Sequence, residues 1–414
     1  MFSIEGKIVN RDRVERGRIE IDQETGLIIN VGEITGTADV LLKDELIFPG
    51  FIDLHVHARE DVSHQQDYKE DYMTAGEAAI NGGVVAYLDM PNNIIPPIDD
   101  ESYEKKNILS KKSPVPILLY AGIGPQTSPL KKKVPYKVFM GKSIGELFFT
   151  SNEDLEKVMA QYTGQNVSFH CEDPKILDEH MNEKNHEDKR PKEAEISAVD
   201  FALSLIEKYK LQGKICHAST MEGIQKIIEA KKRGVNVTVE VTPHHLYFDE
   251  SMLTEKNHTS FQVNPPIRQS KENRLALIEA LKKGEIDYIA TDHAPHSQEE
   301  KEKGISGLTH LDTYGPFITW LMKEHNFTPQ EVARACSINP ANFLNQFINE
   351  KYGKIEKNFV GSLAIVDKNK STLINKENLK TKNHWSPFLG ITFPGRVVMT
   401  IVKGIPHQNK FVTG

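Results

Sequence analysis

Between about residues 50 and 350 the chain alternates short apolar runs with longer amphipathic stretches. No other feature limits the fold as tightly. The apolar runs, at 50–57, 84–90, 115–121, 134–140, 166–171, 213–218, 236–242 and 286–291, have strand length. The stretches at 71–82, 99–111, 152–161, 192–210, 220–233, 271–283 and 311–324 have helical periodicity. Parallel strands need crossovers of a dozen or more residues, usually helices. Eight strands alternating with helices therefore predict an α/β chain whose parallel sheet closes into a (β/α)8, TIM-like barrel. Only 12 residues separate the third and fourth runs, so that helix must be short or missing.

The two ends read differently. KIVN, RIEID and LIINVG near the start, and GSLAIVD and RVVMTIVKG near the end, are β-rich runs broken by turn residues. They predict a small β-sandwich domain assembled from both termini, 1–49 plus 355–414, beside a barrel at 50–354. The 51 basic and 58 acidic residues give a net charge of -7, which offers no global attraction to nucleic acid or an anionic membrane. An anionic metabolite could still bind a local basic pocket. The three cysteines, Cys171, Cys216 and Cys336, are too few for a disulfide framework. With no signal-peptide pattern or membrane-length apolar run, a cytoplasmic location is expected.

In a barrel the C-terminal strand ends converge on one mouth. His55 and His57 end the first run, Lys137 lies in the fourth, His170 and His217 end the fifth and sixth, and Asp292 follows the eighth. Residues i and i+2 on a strand point the same way, so His55 and His57 can grip one metal. A lone HxH pair is more often two ordinary histidines; its place after LIFPGFIDL gives it weight. Lys137 sits among apolar neighbours in VPYKVFMG. Burial favours a neutral, nucleophilic amine that can capture carbon dioxide as a carbamate. The bland alternative is a lysine snorkelling at a strand end. His170 and His217, singly, would be hydrogen-bonded buried histidines; together they suggest a second metal position. Asp292, in TDHAPH, suits a metal ligand that also moves a proton. Asp53 is placed to support the HxH pair rather than to bind metal.

DLHVHARE at 53–60, the fourth-run lysine, His170, His217 and TDHAPH at 291–296 together resemble the amidohydrolase superfamily, and within it the dihydroorotases. The resemblance spans nearly the whole chain and implies a distorted (β/α)8 barrel. It implies that His55, His57, Lys137 and Asp292 hold one zinc ion, and that carbamylated Lys137, His170 and His217 hold another. A hydroxide between the two metals would attack the ring carbonyl, and Asp292 would shuttle the proton. By the same resemblance Arg59, Asn92 and His296 bind a substrate carboxylate, and Asn264, in NPPIR, contacts the substrate ring. RPKEAE at 190–195 and SPFLG at 386–390 extend the likeness, and GISGLTHLDTYGPF at 304–317 matches a glycine-rich loop loosely. The implied activity is reversible hydrolysis of dihydroorotate to N-carbamoyl-aspartate in pyrimidine synthesis, by a homo-oligomer. A hydantoinase, dihydropyrimidinase or allantoinase is the alternative, and an inactive paralogue serving as a structural partner is a further one. Neutral rings would give Arg59 no carboxylate to bind, and the complete ligand set argues against the inactive paralogue.

Overall fold

The computed structural model describes residues 1–32, 36–141, 147–254, 257–268 and 270–409. The last part of the C-terminal β segment, 410–414, lies outside them. All the strands of the middle region pair in parallel and form two arcs. The first joins Phe51–Val56, Val84–Asp89 and Ile117–Leu119. The second runs from Ala121–Ile123 through Tyr136–Phe139, Asn166–His170, Gln212–Ile215 and Val237–Val241 to Tyr288–Ile289. The third predicted strand is thus broken at Tyr120, with its first half paired to one arc and its second half to the other. Tyr120 N–H still donates to Asp89 O and Ala121 N–H to Pro135 O, which carries the wall across the break. On the far side, Val56 bridges His293 in parallel. The eight runs therefore circle back on themselves as a distorted barrel.

Crossover helices lie close to the expected ranges. Tyr72–Gly82 starts where the Asp71 carboxylate accepts the N–H groups of Met73 and Thr74, and it stops at Gly83, whose φ of 83° suits glycine. Met221–Lys232 and Lys271–Lys283 start at hydroxyl caps, Thr220 and Ser270. No helix lies between Ile123 and Tyr136. No helix among the described residues is long and apolar enough to cross a membrane.

The β-rich ends form one seven-stranded sheet. Its order is Ile405–Gln408, Arg396–Val402, Leu363–Asp367, Val40–Pro49, Phe2–Val9, Val14–Asp22 and Leu27–Gly32. Alternation along the strands gives this sheet two apolar faces. Ile4, Ile8, Ile19, Ile21, Ile47, Leu363 and Ile365 form a separate apolar cluster on one face. Leu46, Phe48, Ala364 and Val366 point the other way and join the main core.

The apolar run LIFPGFIDL is divided between two sheets, at the boundary expected between the terminal and barrel segments. Val40–Pro49 belongs to the terminal sheet and Phe51–Val56 to the barrel, with Gly50 between them. A Cβ at Gly50 would lie 2.4 Å from both γ-carbons of buried Val85. Gly50→Ala should therefore lower the unfolding free energy by about 1–3 kcal/mol through overpacking. Urea denaturation would read this as a lower midpoint with an unchanged slope. An unchanged midpoint would mean that Val85 moves aside freely.

Candidate active site

His55 stands one residue before the end of its strand and His57 one residue past it. Their two-residue spacing turns both rings to the barrel mouth, with centroids 5.2 Å apart. His55 Nε2 and His57 Nε2 lie 3.1 and 3.0 Å from the same oxygen, Asp292 Oδ1. Across the mouth, His170 Nδ1 and His217 Nε2 are 2.9 Å apart. The His217 ring is 5.2 Å from that of His55, so the two clusters adjoin. Lys137 is fully buried beneath them, and its Nζ donates to Cys216 Sγ at 2.9 Å.

His55, His57, Arg59, Asn92, His170, His217, Asn264 and Asp292 line one cavity of about 330 Å³. Lys137 and His296 lie behind its wall. A larger cavity of about 620 Å³, near Glu187, Lys192, Glu222 and Arg268, contains none of these histidines. Chemistry selects the smaller one. Three of its residues have left-handed backbone without being glycine: Arg59 (φ 65°), His217 (φ 35°) and Asp292 (φ 49°). Such conformations persist only where the surroundings impose them, and they concentrate at functional sites.

Burial, with the nearby Lys137, holds the His55 ring well below the usual histidine range. Burial and Arg59 do the same to His57, and burial and His170 to His217. These rings are neutral at pH 7, the form that binds metal. Burial lifts the Asp292 carboxyl to about 7, although Lys137 and His170 oppose the rise. The donor atoms of His55, His57 and Asp292 all lie within 4.8 Å of one another. Neutral imidazoles and a carboxylate converging on one point fit a divalent metal. His55, Cys216 and Glu240 form another group with that spacing, but Glu240 is engaged by Lys214.

Asn92 Oδ1 pairs with His57 Nδ1 at 2.6 Å, which leaves the Asn92 amino group for the cavity. Arg59 donates through Nε to Pro295 O at 3.2 Å, and its Nη2 lies 3.1 Å from His296 Nε2. In this structure His296 thus holds Arg59 rather than facing the cavity. Burial lowers the Arg59 guanidinium only to about 10, so it stays charged. Asn264 Oδ1 is buried without a hydrogen-bond partner among the described residues. Asp53 accepts the backbone N–H groups of His55 and Thr291, which fits a supporting role.

Two supports escaped the sequence reading. Glu240, wholly buried in Val237–Val241, pairs through Oε1 with His55 Nδ1 and through Oε2 with Lys214 Nζ. Burial works against the Lys214 charge, yet Glu240 keeps that ammonium well above its usual range. Arg190 lines the cavity and pairs with Glu172, whose Oε2 is 2.8 Å from His170 Nε2. The sequence did carry a signal for the first pair: Glu240 and Lys214 are lone charges inside apolar strands.

The amidohydrolase family model matches residues 46–116 and 143–405. This chain belongs to the amidohydrolase family, whose members are generally metal-dependent. Among curated proteins it is 33% identical to the dihydroorotase of Methanosphaera stadtmanae, covering 97% of this chain and 94% of that one. It is 34% identical to the dihydroorotase of Thermococcus kodakarensis, over 97% and 93% of the two chains. Among solved structures, an L-hydantoinase (dihydropyrimidinase) from Arthrobacter aurescens superposes with a TM-score of 0.90 at 21% identity, covering 100% of this chain and 98% of that one. At that identity the likeness speaks for the fold alone.

If Glu240 fixes the proton of His55 on Nδ1 and so leaves Nε2 to the metal, Glu240→Gln should weaken metal affinity roughly 10–100-fold. Competition with a chromophoric chelator would measure it. Unaltered affinity would reduce Glu240 to a packing role.

Proposed function

We propose that this chain is a dihydroorotase, hydrolysing the cyclic amide of dihydroorotate reversibly to N-carbamoyl-aspartate. The observation that carries the substrate is Arg59, a buried charged guanidinium on the wall of the cavity that holds Asp292 and the histidines. A guanidinium clamps a carboxylate through paired hydrogen bonds, and dihydroorotate has one. The named relatives support the same substrate. Dihydrouracil and hydantoin offer Arg59 no carboxylate.

Zinc suits the histidine-rich donors. His55, His57 and Asp292 would hold one ion, His170 and His217 a second, and Lys137, as a carbamate, would be shared between them. Bound there, metal would make water nucleophilic and polarise the ring carbonyl. The chain's own residues do the rest. Arg59, steadied by His296, and the Asn92 amino group fix the substrate carboxylate. Asn264 Oδ1 can accept a ring N–H. Asp292 takes a proton from water as its oxygen joins the carbonyl carbon, then delivers a proton to the nitrogen as the C–N bond breaks. The new carboxyl group ionises and releases a proton, so low pH favours ring closure.

Zinc-supplemented turnover of dihydroorotate, beside dihydrouracil, hydantoin and allantoin, tests the substrate. Dihydroorotate should be preferred by at least about 100-fold in kcat/KM. Preferential turnover of a neutral ring would overturn the assignment. Asp292→Asn should lose roughly 10²–10⁴-fold in kcat while metal remains bound; a near-normal rate would remove Asp292 from the chemistry. Arg59→Ala should lose at least about 30-fold in kcat/KM on dihydroorotate and much less on neutral rings. Equal losses would make Arg59 structural.

A further inference from the structure

Lys301 takes no part in the chemistry above, yet it is among the most buried lysines of the chain. It lies on the short helix Gln298–Glu302 and is only 3% exposed. Its Nζ donates to three backbone carbonyls: Gln262 O at 3.2 Å, Ile305 O at 2.8 Å and Gly307 O at 2.7 Å. The Trp385 ring covers the ammonium, its centroid 5.7 Å away. Three donors meeting three carbonyls satisfy an ammonium completely. Its partners belong to two separate segments. Val263 and Asn264 line one part of the candidate cavity, and Gly304, Ile305, Ser306 and Gly307 line another.

Among the described residues one backbone hydrogen bond also joins the two segments. Gly307 N–H donates to Gln262 O at 3.0 Å. A Cβ at Gly307 would lie 2.4 Å from Ala294 O and 2.9 Å from His296 Cδ2, so this backbone presses directly on the residue that steadies Arg59. A Cβ at Gly304 would lie 2.7 Å from Gln262 Oε1, showing the same close approach. Val263 and Leu308 anchor the flanks of the two segments in the main core, and the backbone between them is held close by the Lys301 hydrogen bonds.

We propose that Lys301 is a positioning residue for substrate binding: by tying residues 305 and 307 to residue 262 it sets the width of the cavity and holds Asn264 and the Arg59–His296 pair in place. This rests on the reading that the cavity takes dihydroorotate. It does not depend on which metal is bound.

Lys301→Met keeps the apolar stem and removes all three donors. In the metal-loaded protein, KM for dihydroorotate should rise at least about tenfold, the equivalent of ~1.4 kcal/mol. Bound metal should be unchanged and kcat should stay within about threefold. Amide hydrogen exchange should quicken in peptides spanning 258–266 and 298–308 and stay unchanged in the terminal sheet. Lys301→Gln, which keeps a two-hydrogen donor, should fall between the two in KM. It also supplies the comparison with wild type should the Met variant not fold. Unchanged KM with unchanged exchange in either variant overturns the clamp. So does a protein-wide rise in exchange with kcat and KM altered alike, which marks a merely structural lysine. Should the wild type fail to turn over dihydroorotate, the substrate reading falls, and the localised exchange difference alone decides whether Lys301 joins the two segments.

Discussion

The contact between His57 N–H and His293 O, 2.7 Å long, closes the circuit of strands, and the barrel mouth is built around it. It brings the segment after the last strand beside the end of the first. Only there can one oxygen of Asp292 stand within hydrogen-bond distance of both His55 Nε2 and His57 Nε2. Asp53 secures the same seam lower down. It binds His55 N–H from its own strand, and Thr291 N–H and Oγ1 from residues 238 positions away. Burial lifts Asp53 to about 7 while these hydrogen bonds pull the other way. The left-handed turn at Asp292 follows from the closure, since the chain must bend sharply after Thr291 to present its carboxylate inward.

The charge offered to a substrate at the mouth is not that of the whole protein. The chain carries a net charge of -7. Yet the guanidinium of Arg59 is buried at the candidate cavity, and Arg190 lines it. Buried charges are screened far less than exposed ones, so a small anion entering the cleft meets the Arg59 guanidinium at close to full strength. A mildly acidic protein can therefore offer a firm hold to a carboxylate.

Much of this was legible before any coordinates. The alternation of apolar runs and amphipathic stretches requires parallel strands, and strand-end histidines at two-residue spacing require converging rings. What stayed hidden depends on neighbours distant in sequence. That Gly50 admits no side chain is not visible locally, because Val85, which fills the space, is 35 positions on. Glu240 becomes a partner of His55 only once closure brings the first strand round to the far side of the last one, which pairs with the strand holding Glu240. His296 reads as a free substrate contact until Arg59 folds back onto it. The left-handed backbone at His217 and Arg59 has no sequence signature at all, since neither is glycine or asparagine.

The terminal sheet carries a consequence for how the chain is made. Its central strand, Val40–Pro49, is flanked by Phe2–Val9 on one side and by Leu363–Asp367 on the other. The first neighbour is available almost at once; the second is synthesised more than 300 residues later. At ordinary ribosomal speeds that interval is roughly 15–60 s. Throughout it, the edge formed by Leu46, Ile47 and Phe48 has no strand to pair with, which is the kind of edge that invites pairing with another chain. The nascent chain thus meets a hazard of misassembly at a seam between segments far apart in sequence, away from the mouth where its chemistry resides.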